Sequence, residues 1–172
     1  MHAARICYHL AIACWLGGMA LFTFQITPAI FSAYSRDVAG GIVTVLFPGY
    51  FRWGLLCGVV ALISRLLWRA RFTLVSSLII VIMLGLTATQ AFILEPRAAE
   101  LKKAIPSFET TAADDPRRLQ FTQLHRISMV ANLSVIAGGV VLVVLVGAPM
   151  APVAGRRSLI GRTPQPSIIL PR

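Results

Sequence analysis

The stretch that decides the fold is 72–94, FTLVSSLIIVIMLGLTATQAFIL, which holds 23 residues without a charged side chain. Two comparable runs lie on either side of it, at 6–35 with 30 residues and at 127–155 with 29. A helix needs about 20 mainly apolar residues to cross about 30 Å of hydrocarbon. Backbone groups in lipid must bond to one another, and these runs lack the alternation of barrel strands. They therefore predict membrane-spanning helices.

Composition agrees with this interpretation. Of the 172 residues, 57% are hydrophobic and 13% are charged, whereas a soluble domain carries roughly 25% charge. The net charge of +10 does not indicate nucleic-acid binding, because the arginines stand at the ends of apolar runs and no basic face interleaved with aromatics is visible. Cys7, Cys14 and Cys57 form no C-x-x-C pair, so we interpret them as small packing residues.

We predict an all-α, integral membrane four-helix bundle with helices at about 6–31, 48–68, 72–94 and 116–146. A short interfacial helix is expected after the first span, within 32–47, and Pro28 is expected to disturb the end of that span. The second span is the least obvious, since Arg52 and Arg65 bracket only 12 uncharged residues. Both side chains are expected to extend to the headgroups, with Tyr50 in the interfacial aromatic belt.

The remaining segments are polar. An amphipathic helical segment is expected at about 97–105 and a polar loop at 106–115. Asp115 followed by Pro116 is typical of a helix start. The transmembrane domain then covers 1–147, and the basic, proline-rich tail at 148–172 is predicted to be disordered.

Orientation follows from the basic residues. Four spans place both termini and the arginine-rich turn at 65–71 on one side. Because basic residues in short loops favour the cytoplasm, we expect cytoplasmic termini in the plasma (inner) membrane of a bacterium.

Polar side chains gather in one half of the predicted bundle, toward the side away from the termini. On the fourth helix, His125, Ser128 and Asn132 recur at spacings of three and four, so they share one face. Polar residues within membrane spans are costly and often functional, although such a group can also only tie helices together. The candidate ligand site consists of Gln25, Arg52, Gln90, Glu95, Arg97, His125, Ser128 and Asn132.

No cofactor is convincingly implied. His9 and His125 lie at opposite membrane faces, so they cannot be two axial ligands of one haem. If a metal binds, His125 or His9 is the candidate ligand.

Several short motifs together resemble the transmembrane protein 205-like family. They are LFPGYF at 46–51, LEPR at 94–97 and the F-x-x-x-H-x-x-S-x-x-x-N pattern at 121–132, preceded by YHL at 8–10 and WLGG at 15–18. The resemblance covers about 6–147. It implies a four-span membrane domain of unknown biochemical activity, for which no catalytic residue is established.

Three functions stay open. The first is solute or metal handling through the polar cluster. The second is a structural or accessory subunit of a larger membrane complex, which would pack through glycine faces such as Gly17–Gly18, Gly54/Gly58 and Gly138–Gly139. The third is a membrane redox enzyme, ranked last because paired ligands are not evident. The partner expected in every case is the lipid bilayer. Other membrane subunits are an open alternative, and nucleic acid is not expected.

Overall fold

In a computed structural model, which describes residues 2–68 and 72–147, the chain forms four long helices. Each is long and apolar enough to cross a membrane, which confirms the predicted all-α membrane bundle. The tail predicted at 148–172 and the centre of the arginine-rich turn, at 69–71, lie outside the described residues. The helices are α1 His2–Ala33, α2 Arg36–Leu67, α3 Thr73–Lys103 and α4 Pro116–Gly147.

The second helix is longer than predicted. It begins at Arg36, not at 48, and runs without a break through Gly40 and Pro48, so the expected short interfacial helix is instead the first turns of α2. Gly40 packs against Lys102 of α3, whose Nζ would lie 3.2 Å from an added Cβ. Tertiary packing therefore outweighs the weak helix propensity of glycine.

Two helices contain a wide turn of π geometry immediately before a proline. In α1 this turn is Phe22–Ile26, followed by Pro28, and in α3 it is Gln90–Leu94, followed by Pro96. A proline ring clashes with the carbonyl group four residues earlier and removes one hydrogen bond. A π turn displaces that carbonyl, so each helix passes its proline without ending. Pro28 thus disturbs α1 as expected, and α1 continues to Ala33.

Close packing of α1, α2 and α3 centres on Trp15, which is 1% exposed. Its indole lies against Gly54 and Gly58 of α2, where added Cβ atoms would lie 3.1 Å from Nε1 and 2.7 Å from Cη2. The G-x-x-x-G pair therefore forms a notch that accepts a large side chain from a neighbouring helix, as its spacing predicts.

Arg65 does not reach the headgroups as expected. It is 1% exposed, and its guanidinium lies 4.8 Å from the ring centroid of Trp68 and 5.5 Å from that of Tyr8. Arg65 also donates a hydrogen bond of 3.4 Å to the Ser76 hydroxyl. Facing aromatic rings offset part of the cost of taking this cation out of water.

The fourth helix starts where the sequence predicts. Asp115 accepts a hydrogen bond of 2.8 Å from the backbone N–H of Arg117, which satisfies one free donor of the first turn. The Arg117 guanidinium also bonds this carboxylate at 3.0 Å. The side-chain hydrogen bond from Arg117 holds the pKa of Asp115 below its usual value. We call the end of the bundle that carries this helix start and the loop 104–115 the loop end.

Candidate functional site

A cavity of about 280 Å³ lies between the four helices at the loop end. Its wall is mainly apolar, and every helix contributes to it. Ligand cavities of this type, apolar with a few placed polar groups, are the default binding-site hypothesis in a protein of unknown function. Aromatic wall residues are Phe31, Phe47, Phe51, Phe108 and Phe121, and polar ones are Thr27, Arg36, Thr44, Glu95, Lys102, His125 and Ser128.

A hydrogen-bonded chain of three side chains joins three helices near this cavity. The Tyr50 hydroxyl of α2 donates to Asn132 Oδ1 of α4 at 2.5 Å, and Asn132 Nδ2 donates to Thr23 Oγ1 of α1 at 2.9 Å. Thr23 lies within the π turn of α1. The Tyr50 ring stacks on Phe22, with centroids 4.5 Å apart. These contacts fix the helices relative to one another beside the cavity.

A second polar contact ties α3 to α4. Ser128 Oγ donates to Gln90 Oε1 at 3.3 Å, and Gln90 Nε2 donates to the backbone carbonyl of Leu86 at 3.4 Å. Gln90 is 1% exposed and is the first residue of the π turn in α3. Each π turn therefore presents one polar side chain to α4, Thr23 from α1 and Gln90 from α3. Ser128, the partner of Gln90, also lines the cavity.

Lys102 joins α3 to α2 at the loop end of the cavity. Its ammonium donates to Thr44 Oγ1 at 3.1 Å, and the Thr44 hydroxyl donates to the Gly40 carbonyl at 2.7 Å. The side chain of Lys102 is half-buried and lies against Gly40, where no side chain intervenes. An ammonium has three donors, so this contact with Thr44 uses one of them.

The loop 104–115 is fastened to α2 by one carboxylate. Asp37 Oδ2 accepts from the Ser107 hydroxyl at 2.6 Å, and Oδ1 accepts from the backbone N–H of Phe108 at 2.7 Å. Phe108 then packs on Phe121 of α4, with ring centroids 4.9 Å apart. Asp37 thereby holds Phe108 in the cavity wall.

The structure brings together part of the predicted polar cluster. Glu95, His125 and Ser128 line the cavity, and Gln90 bonds to Ser128. Asn132 lies beside them in the contact with Tyr50 and Thr23. Three members are exposed and do not line this cavity: Gln25, Arg52 and Arg97.

The two candidate metal ligands lie apart. His125 stacks on Phe121 in the cavity wall, whereas His9 lies near Tyr8 and Trp68 at the opposite end. Among residues 2–68 and 72–147, no group of three or more His, Cys, Asp or Glu side chains is placed to hold a metal ion. Cys57 is buried, and Cys7 and Cys14 are exposed.

Sequence reasoning did not identify several residues of this region. The sequence predicts Tyr50 in the aromatic belt, and the predicted cluster does not contain Thr23, Arg36 or Lys102. The signal for Lys102 was its position on the amphipathic segment after Glu95, seven residues along the same helix. Thr23 gave no comparable signal, because threonine is common in membrane helices.

A family model described as a domain of unknown function (DUF4149) matches residues 10–107. The chain belongs to this family. No curated protein matches the chain, and no solved structure matches it. The DUF4149 match does not support the more specific transmembrane protein 205-like assignment.

The DUF4149 match contains most of the cavity wall but not all of it. It extends from Leu10 in α1 through α2 and α3 to Ser107, the residue that donates to Asp37. The remaining wall residues are Phe108 of the loop and four residues of α4. The four are Phe121, Leu124, His125 and Ser128.

Proposed function

We propose that this integral membrane protein handles a small, largely apolar solute, which it binds in the loop-end cavity. The observation that carries the proposal is the cavity of about 280 Å³ with a mainly apolar wall that includes five phenylalanines. That volume lies near the lower limit of about 300–1,000 Å³ for drug-sized ligands. A small molecule or one acyl segment fits this space better than a whole phospholipid.

Solute handling is favoured over metal handling. A metal site needs several convergent donors, and the cavity wall supplies Glu95 and His125 among mainly apolar neighbours. The described part of the chain contains no larger group of such donors. Phenylalanine side chains instead suit an apolar ligand.

The accessory-subunit alternative has less support from the glycine faces on which it rested. An added Cβ at Gly18 would lie within 4 Å of Trp53, one at Gly138 within 4 Å of Met83, and one at Gly139 within 4 Å of Leu16. Added Cβ atoms at Gly54 and Gly58 would likewise lie within 4 Å of side chains from other helices. These glycines pack within the chain and are not free for a partner. Gly17 is the exception, with nothing within 4 Å.

Two finer assignments belong to the same proposal. A relationship to the transmembrane protein 205-like family is supported by the order and spacing of its motifs. Residues of three of them, Phe47, Phe51, Glu95, His125 and Ser128, line one cavity. Cytoplasmic termini in a bacterial plasma membrane are supported by the compact arginine cluster at 65–71.

The proposal is tested by photo-crosslinking a diazirine-bearing ten-carbon alcohol to the protein purified in mild detergent. Mass spectrometry is expected to locate labels on cavity residues, and excess decanol is expected to compete. An Ala98→Phe variant, which fills the cavity from α3, is expected to lose this labelling. Ala29→Phe, on an exposed face of α1, serves as the matched control and retains it. Labels confined to lipid-facing residues, unaffected by Ala98→Phe, would exclude the cavity as the binding site.

A further inference from the structure

The charged residues of the cavity wall are unevenly placed along its length. Arg36 and Lys102 stand at the loop end, where α2 begins and α3 ends. Glu95 lies seven residues before Lys102 on α3, about 10 Å deeper along the helix axis. The wall therefore carries two cations near the aqueous interface and one acid toward the bundle interior.

Lys102 is held beside the position that the head of a ligand would occupy. Its contact with Thr44 and its packing on Gly40 fix the ammonium against α2, and its remaining two donors are available for another acceptor. Asp37 also attracts Lys102 electrostatically. Both oxygens of that carboxylate, however, already accept hydrogen bonds from the loop.

The apolar part of the wall continues inward from these cations. Phe47 and Phe51 follow Arg36 along α2, with their rings stacked at a centroid distance of 5.6 Å, and Leu94 faces them from α3. Such an arrangement matches an amphiphile that enters with its tail toward the bilayer interior and its head at the interface. The two cations, Lys102 and Arg36, then favour a head that carries a negative charge.

From this placement we propose that the solute is a single-chain amphiphile with an anionic head, whose head binds Lys102 and Arg36 and whose tail lies along Phe47 and Phe51. This inference rests on the proposed function and names the ligand class of the same cavity. A single chain is specified because the cavity of about 280 Å³ is small.

The experiment compares head groups on one tail length. Decanoate, decanol and decyltrimethylammonium are titrated at pH 8 as competitors of the photoreactive alcohol, and the concentration that halves cavity labelling is measured for each. Decanoate is expected to compete about tenfold better than decanol, the gain expected of one charge-assisted hydrogen bond. Decyltrimethylammonium is expected to be the weakest.

Variants at Lys102 separate the effect of its positive charge from the effect of its packing. Lys102→Gln is expected to reduce the advantage of decanoate over decanol to about twofold, whereas Lys102→Arg, which keeps the cation, retains most of it. Lys103→Gln is the matched control, because Lys103 is the next residue, is exposed and does not line the cavity. It is expected to leave all three competitors unchanged.

The outcomes distinguish the two proposals. If the photoreactive alcohol labels no cavity residue, the proposed function is wrong. If it labels the cavity but decanoate and decanol compete equally, the anionic head is wrong and solute binding stands. If Lys103→Gln acts as strongly as Lys102→Gln, the assignment of the head to Lys102 is wrong and solute binding stands. Preference for decyltrimethylammonium would also overturn the anionic head and would assign head recognition to Glu95.

Discussion

Asn132 uses both ends of its amide to connect three helices. Its oxygen accepts from Tyr50 and its nitrogen donates to Thr23, so α2, α4 and α1 are joined by two consecutive hydrogen bonds. In hydrocarbon no water replaces a lost partner, and each unsatisfied group is costly. At the scale of single residues, this contact explains why a polar side chain is retained within a membrane span.

Removing the Tyr50 hydroxyl is expected to weaken this connection measurably. Tyr50→Phe keeps the stacked ring but leaves Asn132 Oδ1 without its donor, and interhelical hydrogen bonds in membranes average about 0.6 kcal/mol with a maximum of about 1.7 kcal/mol. We expect the free energy of unfolding to fall by an amount in that range, measured by steric trapping in bicelles. Tyr34→Phe, at an exposed position, is the control and is expected to have no effect.

At the scale of elements, the notch on α2 decides how closely α1 and α3 approach it. Trp15 enters at Gly58 from α1, and Leu84 enters from α3. An added Cβ at Gly58 would lie 2.5 Å from Leu84 Cδ2 and 2.7 Å from Trp15 Cη2. Leu84 ends in a flexible chain that can move, whereas the Trp15 ring is rigid and buried.

Gly58→Ala is therefore expected to force these helices apart. Overpacking of this kind costs typically about 1–3 kcal/mol, and we expect a loss of stability in that range. Gly85→Ala is the matched control, because Gly85 also lies within a span and an added Cβ there meets nothing within 4 Å. Alanine is the better helix former, so this control is expected to be neutral or stabilising by up to about 1 kcal/mol. Equal losses in both variants would contradict the notch.

The spans could be predicted from the sequence, but the faces of two helices could not. Three charge-free runs of at least 23 residues leave a membrane helix as their stable state, and the shorter apolar stretch between Arg52 and Arg65 indicates the fourth span. The 3.6-residue period predicts faces only while the helix is regular. A π turn holds one additional residue and rotates everything after it by roughly 100°.

Thr23 and Gln25 both lie within the π turn of α1 and are two residues apart, so they face nearly opposite sides of the helix, and Thr23 is the one that bonds to α4. Lys102 was missed for a different reason. It lies on the same face as Glu95, but a lysine beyond the apolar run has the pattern of an interfacial residue, and its contact with Thr44 of α2 is what places it in the cavity wall. The sequence does not show that Tyr50 bonds to another helix, because a tyrosine of the aromatic belt and a tyrosine packed between helices look alike in a sequence. The hydrogen bond from Tyr50 to Asn132 of α4 distinguishes the two cases.

At the scale of the whole molecule, many large apolar side chains of the described residues face outward. Leu74, Val45 and Phe92 are 86%, 79% and 72% exposed, which suits a surface surrounded by acyl chains. Polar structure is concentrated at the loop end, where Asp37 connects α2 to the loop that completes the cavity. The cavity could not be predicted because this connection spans 70 residues of sequence.

Loss of the Asp37 carboxylate is expected to release the loop. In Asp37→Ala, Ser107 Oγ and the Phe108 N–H lose their acceptor, so peptides from 104–115 are expected to exchange amide hydrogen several-fold faster. Hydrogen–deuterium exchange in detergent measures this, and Asp114→Ala, an exposed acid of the same loop, is the control. Unchanged protection in Asp37→Ala would show that packing of Phe108 on Phe121 is sufficient to hold the loop.

The wide turns at Phe22–Ile26 and Gln90–Leu94 make the cavity depend on the number of residues as well as on their kind. Deleting any one residue from the turn in α3 would keep a long hydrophobic segment with an unchanged hydropathy profile. The deletion would nevertheless turn Glu95, Ala98 and Lys102 toward the acyl chains and remove one wall of the cavity. Relatives of this chain that lack one residue in either turn would therefore be expected to keep the bundle and to lose the cavity.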